Sequence, residues 1–366
     1  MPSKSTSTSI FRFFKANARG FAIVFGFAVI LALATDTFVS RPNLDSLGRQ
    51  LSIFAILAVG ELLVILTAGI DLSVGSIVGL SGIVVAQTAI GTKGIGATGL
   101  AIALALAAGT ACGLFSGLLY AFLRIPPFIA TLGVMGIARG ITLLLSGGRT
   151  IQPLPKEFEG IADGSLFGVA NLIWITLIVV VLGSVLLTQT TWGRYVHAVG
   201  SNEESARLSG VPVKTVLISV YTVSGLLAGL GGVLLASRLN NGVPTAGTGY
   251  ELQAIAACVI GGASLFGARG TAVGTLIGAL IVGMLNDGGS LLGIDPFWLQ
   301  IAIGALILIA VAIGQAPKWL PEATSRFRWA RRGESDDQSS TNEPDDDQSS
   351  TNEPDGPTPA DEGEAQ

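Results

Sequence analysis

Four ionisable side chains stand in otherwise apolar sequence: Glu61, Asp71, Arg139 and Glu251. A charge in such surroundings is costly and is kept where it meets a partner, a cavity or an unusual backbone. Asp71 lies in the turn Gly69-Ile70-Asp71-Leu72-Ser73-Val74-Gly75, where Gly69 and Gly75 permit an unwound or sharply bent chain. Its carboxylate can cap the helix that follows, accept from N–H groups freed by the break, or serve in gating or partner contact. Arg139 stands about halfway along the apolar run TLGVMGIARGITLLL. Glu61, Asp71 or Glu251 could pair with it as a structural ion pair; contact with a substrate is the alternative.

Covalent chemistry is excluded more readily than it is found. The chain has one histidine, His197, and two cysteines, Cys112 and Cys258, both within apolar helical runs where packing is their expected role. No metal cluster can be assembled from these. No GxxxxGK[ST] phosphate loop occurs, and no GxSxG, HExxH or CxxC. The chain is expected to be no enzyme, to hold no cofactor and to hydrolyse no nucleotide itself.

The most polar internal stretch is Trp192–Lys214, WGRYVHAVGSNEESARLSGVPVK, with long apolar segments on both sides. Ser201 or Asn202 can cap a short helix whose first turn holds Glu203 and Glu204, where the helix dipole favours acids. Gly210 and Pro212 then stop it. Such an element cannot lie in hydrocarbon and must sit at a membrane face.

The elements that position these groups follow from composition. The chain is 50% hydrophobic and 13% charged over 366 residues. Its apolar runs are continuous rather than alternating, which argues for membrane helices against a β-barrel. The first is Phe21–Ala34, read as an uncleaved span although Ala32-Leu33-Ala34 resembles a signal-peptidase site. The others are Leu47–Ala68, Leu72–Ile90, Ala97–Phe122, Phe128–Ser146, Leu172–Leu187, Val216–Ala236, Leu252–Phe266, Thr271–Leu285 and Phe297–Ile313. The expected fold is an all-α integral membrane protein of about ten transmembrane helices.

Charge sets the orientation. With amino and carboxyl termini cytoplasmic, the inner loops and ends hold Lys4, Arg12, Lys15, Arg19, Arg124, Arg194, Arg207, Lys214, Arg269, Lys318, Arg326, Arg328, Arg331 and Arg332. The outer loops hold fewer: Arg41, Arg49, Lys93, Arg149, Lys156 and Arg238. Trp192–Lys214 is then cytoplasmic. The outer loop Gly147–Asn171 is either a contact surface or a solvated connector. Arg124-Ile125-Pro126-Pro127 is punctuation between two spans. Gly270, Gly274, Gly278 and Gly283 recur at helical spacing as packing positions.

At the ends, residues 1–19 form a basic segment and 20–313 the membrane domain. Residues 314–333 are basic and aromatic, suited to an interfacial anchor on lipid. Residues 334–366 are acidic, carry DDQSSTNEPD twice in tandem, and are expected to be a disordered solubilising tail. This tail alone makes the net charge −4; the rest is basic, which suits an anionic membrane surface and not nucleic acid.

From Leu47 to Ile313 the chain resembles the membrane-spanning permeases of bacterial ABC importers for monosaccharides, those for ribose, xylose and galactose. The resemblance is carried by VILTAGIDLSVGS (64–76), PFIATLGVMGIARGITLLLSGG (127–148), GRYVHAVGSNEESARLSGVPV (193–213), PTAGTGYELQAIAACVIGGASLFGARG (244–270) and GTLIGALIVGMLNDG (274–288). It implies that Trp192–Lys214 docks into a cleft on a cytoplasmic ATPase, with Gly200, Asn202, Glu203, Ala206 and Gly210 at the pattern positions. It also implies a dimer of permeases, ATP and magnesium on the partner ATPase, an extracytoplasmic sugar-binding protein and a place in the bacterial cytoplasmic membrane. Two departures stand out. The family usually has two glycines at Gly267-Ala268, and Asn-Gly followed by Leu-Asn at Asp287-Gly288-Gly289-Ser290.

The expected function is inward passage of a small sugar, driven by ATP on another subunit. Related permeases share the GIDLSVG-like turn, so nucleosides and branched-chain amino acids are alternatives within the class. An ion-coupled secondary transporter is the rival from another class and would need coupling-ion ligands at mid-membrane.

Overall fold

Helix α2 (Arg41–Leu66) is buried on every side from Leu51 to Leu66, so the rest of the molecule is built around it. The computed structural model describes residues 5–90, 94–309 and 311–312, and they are helical apart from one short hairpin and the connecting turns. The other elements are α1 (Ser5–Ala34), α3 (Val74–Ala89), α4 (Ile95–Leu123), α5 (Pro127–Ser146) and α6 (Lys156–Asp163). The hairpin of β1 (Ser165–Leu166) and β2 (Val169–Ala170) follows, then α7 (Asn171–Gln189), α8 (Thr191–Ser201), α9 (Glu203–Leu208), α10 (Val213–Leu239), α11 (Tyr250–Ile260) and α12 (Ala272–Leu291). A last helix, α13, covers Pro296–Ile309.

Among the described residues, six helices are each long and apolar enough to cross a membrane: α2, α4, α5, α7, α10 and α12. The chain is a multi-pass, all-α membrane protein. α1 continues without a break through the expected boundary at residue 19. Residues 1–4, the end of the tenth expected span, the basic stretch 314–333 and the acidic tail 334–366 lie outside the described residues.

The expected span Leu252–Phe266 is not one helix. α11 stops at Ile260, and 11 residues rise only about 16 Å against about 30 Å of hydrocarbon. Gly261 and Gly262 end it, Gly262 in the left-handed region at φ 90°, and a chain of turns follows to Gly270. On its other side α11 is preceded by the irregular segment Asn240–Gly249. Gly242 lies against Ala86 and Ile83 near the end of α3, and Pro244 and Ala246 lie beside Gly79. Gly247 lies against Gly75 in the first turn of α3. The segment therefore runs down α3 into the bundle before α11 begins.

Close helix contact is made through glycine. Gly109, Gly113 and Gly117 of α4 meet Gly225, Gly229, Tyr221 and Ile218 of α10 almost backbone to backbone. Gly274 and Gly278 of α12 lie on the carbonyls of Gly261 and Ala257, and Gly283 takes Leu51 of α2. Apolar side chains gain little by leaving lipid for each other, so such close approach is what holds membrane helices together. The two cysteines pack as expected: Cys258 is buried with its thiol toward the Ala58 carbonyl, and Cys112 is half-buried.

The loop Gly147–Asn171 is no loose connector: one side packs on the bundle, while Leu166 and Phe167 stand exposed on the other. Leu154, Phe158 and Ala162 are buried. Ser237 Oγ accepts from Ala162 N–H and donates to the Phe158 carbonyl, at 3.0 and 2.7 Å. Arg49 donates to the Ala162 carbonyl at 2.9 Å, and Asn240 joins Leu154 to Glu159. α6 is thereby docked across the ends of α2 and α10.

Candidate functional site

At the opposite end of α2 the chain breaks. Ala68 takes a positive φ of 61°, and Thr67 and Gly69 donate back to the Val64 carbonyl. Gly69 sits where a side chain would strike the Tyr221 hydroxyl, so its lack of one lets the turn lie on α10. Asp71 is fully buried. Its Oδ1 accepts from Ser73 N–H at 2.9 Å and Ser73 Oγ at 2.5 Å, and its Oδ2 accepts from Ser224 Oγ at 3.0 Å. Ser73, not Asp71, occupies the cap position of α3. Asp71 thus accepts from one N–H freed by the break and from two hydroxyls. Glu61, buried on α2, accepts from Asp71 N–H at 3.1 Å, and its second oxygen and the Tyr221 hydroxyl are buried without partners among the described residues. Thr131 of α5 closes the cluster by donating to the Ile70 carbonyl. A single turn thus ties α2, α3, α5 and α10 together.

The expected ion pair of Arg139 with Glu61, Asp71 or Glu251 does not form. Arg139 Nη1 donates to the carbonyls of Pro244 and Ala246, at 2.6 and 3.0 Å. The cause is the irregular segment, whose carbonyls lack the partners a helix would give them. A guanidinium satisfies two of these at once. Glu251 instead stands at the start of α11, where its Oε1 accepts from Gly249 N–H at 3.2 Å. Its Oε2 and the Gly247 carbonyl occupy the space a side chain on Gly75 would need.

The Trp192–Lys214 stretch is two helices, not one. α8 runs to Ser201; Asn202 then caps α9, its Oδ1 accepting from Ser205 N–H at 2.8 Å. α8 is fixed to the bundle. Trp192 donates to Ser219 Oγ at 2.7 Å, His197 Nδ1 lies 3.0 Å from the Ala268 carbonyl, and Val196, Val199 and Gly200 are buried. Gly200 faces the Leu66 carbonyl and Ala268, so its close approach is to this chain's own backbone and not to a partner. α9 projects beyond. Asn202, Glu203, Glu204, Ser205, Arg207, Leu208 and Ser209 are exposed, and Ala206 alone is buried. Arg207 binds Glu204 in a two-pronged pair that holds the Glu204 carboxyl below its ordinary range. Gly210 turns the chain at φ 82° with open space around it. Lys214 lies over the Phe122 ring at 4.9 Å.

Three features of these sites are missing from the sequence expectations. Leu208 is 75% exposed on an otherwise polar knob. Ser224 carries no sequence signal, since a lone serine in an apolar run has many possible roles. The segment Asn240–Gly249 did carry one: Gly242, Pro244, Gly247 and Gly249 are the punctuation of an irregular chain. Among the described residues no group of His, Cys, Asp and Glu could hold a metal ion.

Residues 43–311 match the family described as branched-chain amino acid transport system / permease component. The ribose import permease protein RbsC of Escherichia coli (strain K12) is 44% identical over 292 residues, covering 78% of this chain and 89% of that protein. The ribose import permease protein RbsC of Bacillus subtilis (strain 168) is 41% identical over 292 residues, 79% of this chain and 90% of that protein. The fructose import permease protein FrcC of Rhizobium meliloti is 41% identical over 300 residues, 79% and 81%. No solved structure matches the chain. An all-helical membrane body, a docked α8 carrying an exposed α9, and similarity running almost the whole length of these permeases lead to one assignment: the chain belongs to the branched-chain amino acid transport system permease-component family, as a membrane-spanning transport subunit and not an enzyme.

Proposed function

We propose that this chain is the permease of an ATP-driven importer for a monosaccharide, ribose or a related pentose or hexose. The observation that carries the substrate class is the 44% identity to a ribose import permease over 89% of that protein's length. ATP and magnesium reside on a separate cytoplasmic ATPase, two copies of this chain form the pore, and a sugar-binding protein delivers cargo from outside. The chain makes ten passes with both termini cytoplasmic, the eighth being the composite of Asn240–Gly249 and α11. Arg124, Arg194, Arg207, Lys214 and Arg269 crowd the end that holds α8 and α9, which supports placing that end in the cytoplasm.

In this reading α9 is the coupling knob. Asn202, Glu203, Glu204, Arg207 and Leu208 meet the ATPase, Ala206 and Gly210 fix the knob's base and exit, and Gly200 anchors α8 to the bundle. Motion of the ATPase passes through α8 to Leu66 and the Asp71 turn, and from there to α3, α5 and α10. Gly69, Gly75 and Asp71 form the joint.

The test is uptake into proteoliposomes holding the full chain with its copurified ATPase, candidate binding proteins and labelled sugars. ATP-dependent accumulation of a pentose or hexose is expected. Accumulation of only nucleosides or branched-chain amino acids would reassign the substrate, and ATP-independent, ion-driven uptake would overturn the importer class.

A further inference from the structure

We propose that the irregular segment Asn240–Gly249, with Arg139 and Glu251 on either side, is the element of this permease that touches the sugar in passage and sets its selectivity. This rests on the sugar-permease reading above. The first ground is backbone. Irregular chain at membrane depth is tolerated only where protein encloses it or water reaches it. Gly242, Pro244 and Gly247 are buried against α3, but Thr245 and Thr248 are exposed within the same segment. Its buried side is satisfied by protein, and its open side, with two hydroxyls, belongs to a polar passage and not to lipid.

The second ground is the chemistry beside it. Arg139 is half-buried and spends only Nη1 on the segment; its Nε and Nη2 donate to no described residue. Glu251 is half-buried with one N–H on Oε1. The Gln253 side-chain carbonyl, one turn into α11, is buried with no partner among the described residues. Next to Arg139, α5 turns bare glycine outward at Gly136 and Gly140, with open space around both. A sugar is an uncharged set of hydroxyls that both donate and accept. A carboxylate takes the donated protons and a guanidinium supplies the accepted ones. Of the threonine hydroxyls, Thr248 Oγ1, which donates to the Thr245 carbonyl at 2.8 Å, is left to accept, while that of Thr245 can do either. Discontinuous helices with polar ends near mid-membrane serve substrates in other transporters for the same physical reason.

The experiment uses the reconstituted complex and two sugars that the wild type transports at different rates. Glu251→Gln keeps the shape beside Gly75, and Thr248→Val keeps the branching. Each is expected to change the uptake ratio of the two sugars by about fivefold or more, at wild-type abundance and with normal ATPase retention. Independently, Thr245→Cys is expected to react with a small maleimide, and saturating sugar to slow that reaction at least about threefold, against wild type for background from Cys112 and Cys258. Unchanged ratios in both variants at normal abundance would overturn the assignment. So would labelling of Thr245→Cys that sugar does not slow, and that arm decides if the other variants fail to insert. A wild type that transports no sugar would instead bring down the permease reading on which this one stands.

Discussion

Asp71 gathers three donors onto one carboxylate, whereas Glu61 accepts one N–H. The two acids therefore differ in what their removal leaves behind. Asp71→Ala strands two donors of Ser73 and one of Ser224 in a buried site, at about 1–3 kcal/mol each. Glu61→Gln keeps an oxygen for Asp71 N–H and should cost less than about 1.5 kcal/mol. Folded yield and the thermal midpoint in detergent should fall sharply for the first and little for the second; equal losses would contradict the hydrogen-bond account. A second residue points the other way. Ala268 holds φ 61° in the turn that binds Leu66 and His197. A Cβ there is strained by about 1–2 kcal/mol. Ala268→Gly should raise the thermal midpoint, with a net gain of about 1 kcal/mol after the added freedom of the unfolded chain. A lower midpoint would show that the Cβ contributes packing worth more than the strain.

The element α8–Asn202–α9 separates two kinds of substitution. Leu208→Asp alters only exposed surface, and Glu203→Arg gives up in addition the contact of the Glu203 carboxylate with the Tyr120 hydroxyl of α4. Insertion should stay normal in both while ATPase copurification falls at least about tenfold and uptake is lost. Normal ATPase retention in both would make α9 a solvated hinge between α7 and α10. Gly200→Trp belongs to the other kind. Its side chain would have to displace the Leu66 carbonyl, so the variant should be depleted from the membrane before docking can be measured. Sequence reasoning located this element and its cap because Asn202, Glu203 and Gly210 act locally. It misassigned the close approach of Gly200, because the atoms that approach come from residues 66 and 268. The same limit explains Arg139. Its cost at membrane depth was legible, and the acids in sequence reach were natural partners. The true acceptors are main-chain carbonyls, which every residue has and no sequence marks. The apolar helices α3, α4, α5, α7 and α10 match their expected spans closely, since hydropathy determines them. By contrast α1, α2 and α12 run on past their apolar cores, to Ser5, Arg41 and Leu291, where hydropathy no longer marks them. The half-helix α11 was not read, because its apolar run continues past the point where Gly261 and Gly262 end it.

At the scale of the whole molecule, the bundle holds together through shape more than through polar bonds. The α4–α10 seam shows why. Gly109, Gly113 and Gly117 repeat every fourth residue and so line one face of α4, against Gly225 and Gly229 spaced alike on α10. In lipid the gain from packing comes from close van der Waals approach, which falls off steeply with distance. A methyl on Gly113 would meet the Tyr221 carbonyl and the Gly225 backbone, neither of which can turn aside as a side chain can. Separation of α4 from α10 would also shift Tyr221 and Ser224, and with them the Asp71 turn. Gly136 and Gly140 of α5 are also helical glycines, but nothing lies within reach of a methyl on either. Gly113→Ala should therefore lower folded yield several-fold, by about 1–3 kcal/mol of overpacking. Gly136→Ala and Gly140→Ala should leave yield unchanged or slightly higher, since alanine favours helix by about 1 kcal/mol. Size-exclusion profiles and thermal midpoints of the three variants, at matched expression, decide the matter. If Gly113→Ala folded as well as the other two, the seam would be a consequence of the fold rather than one of its causes.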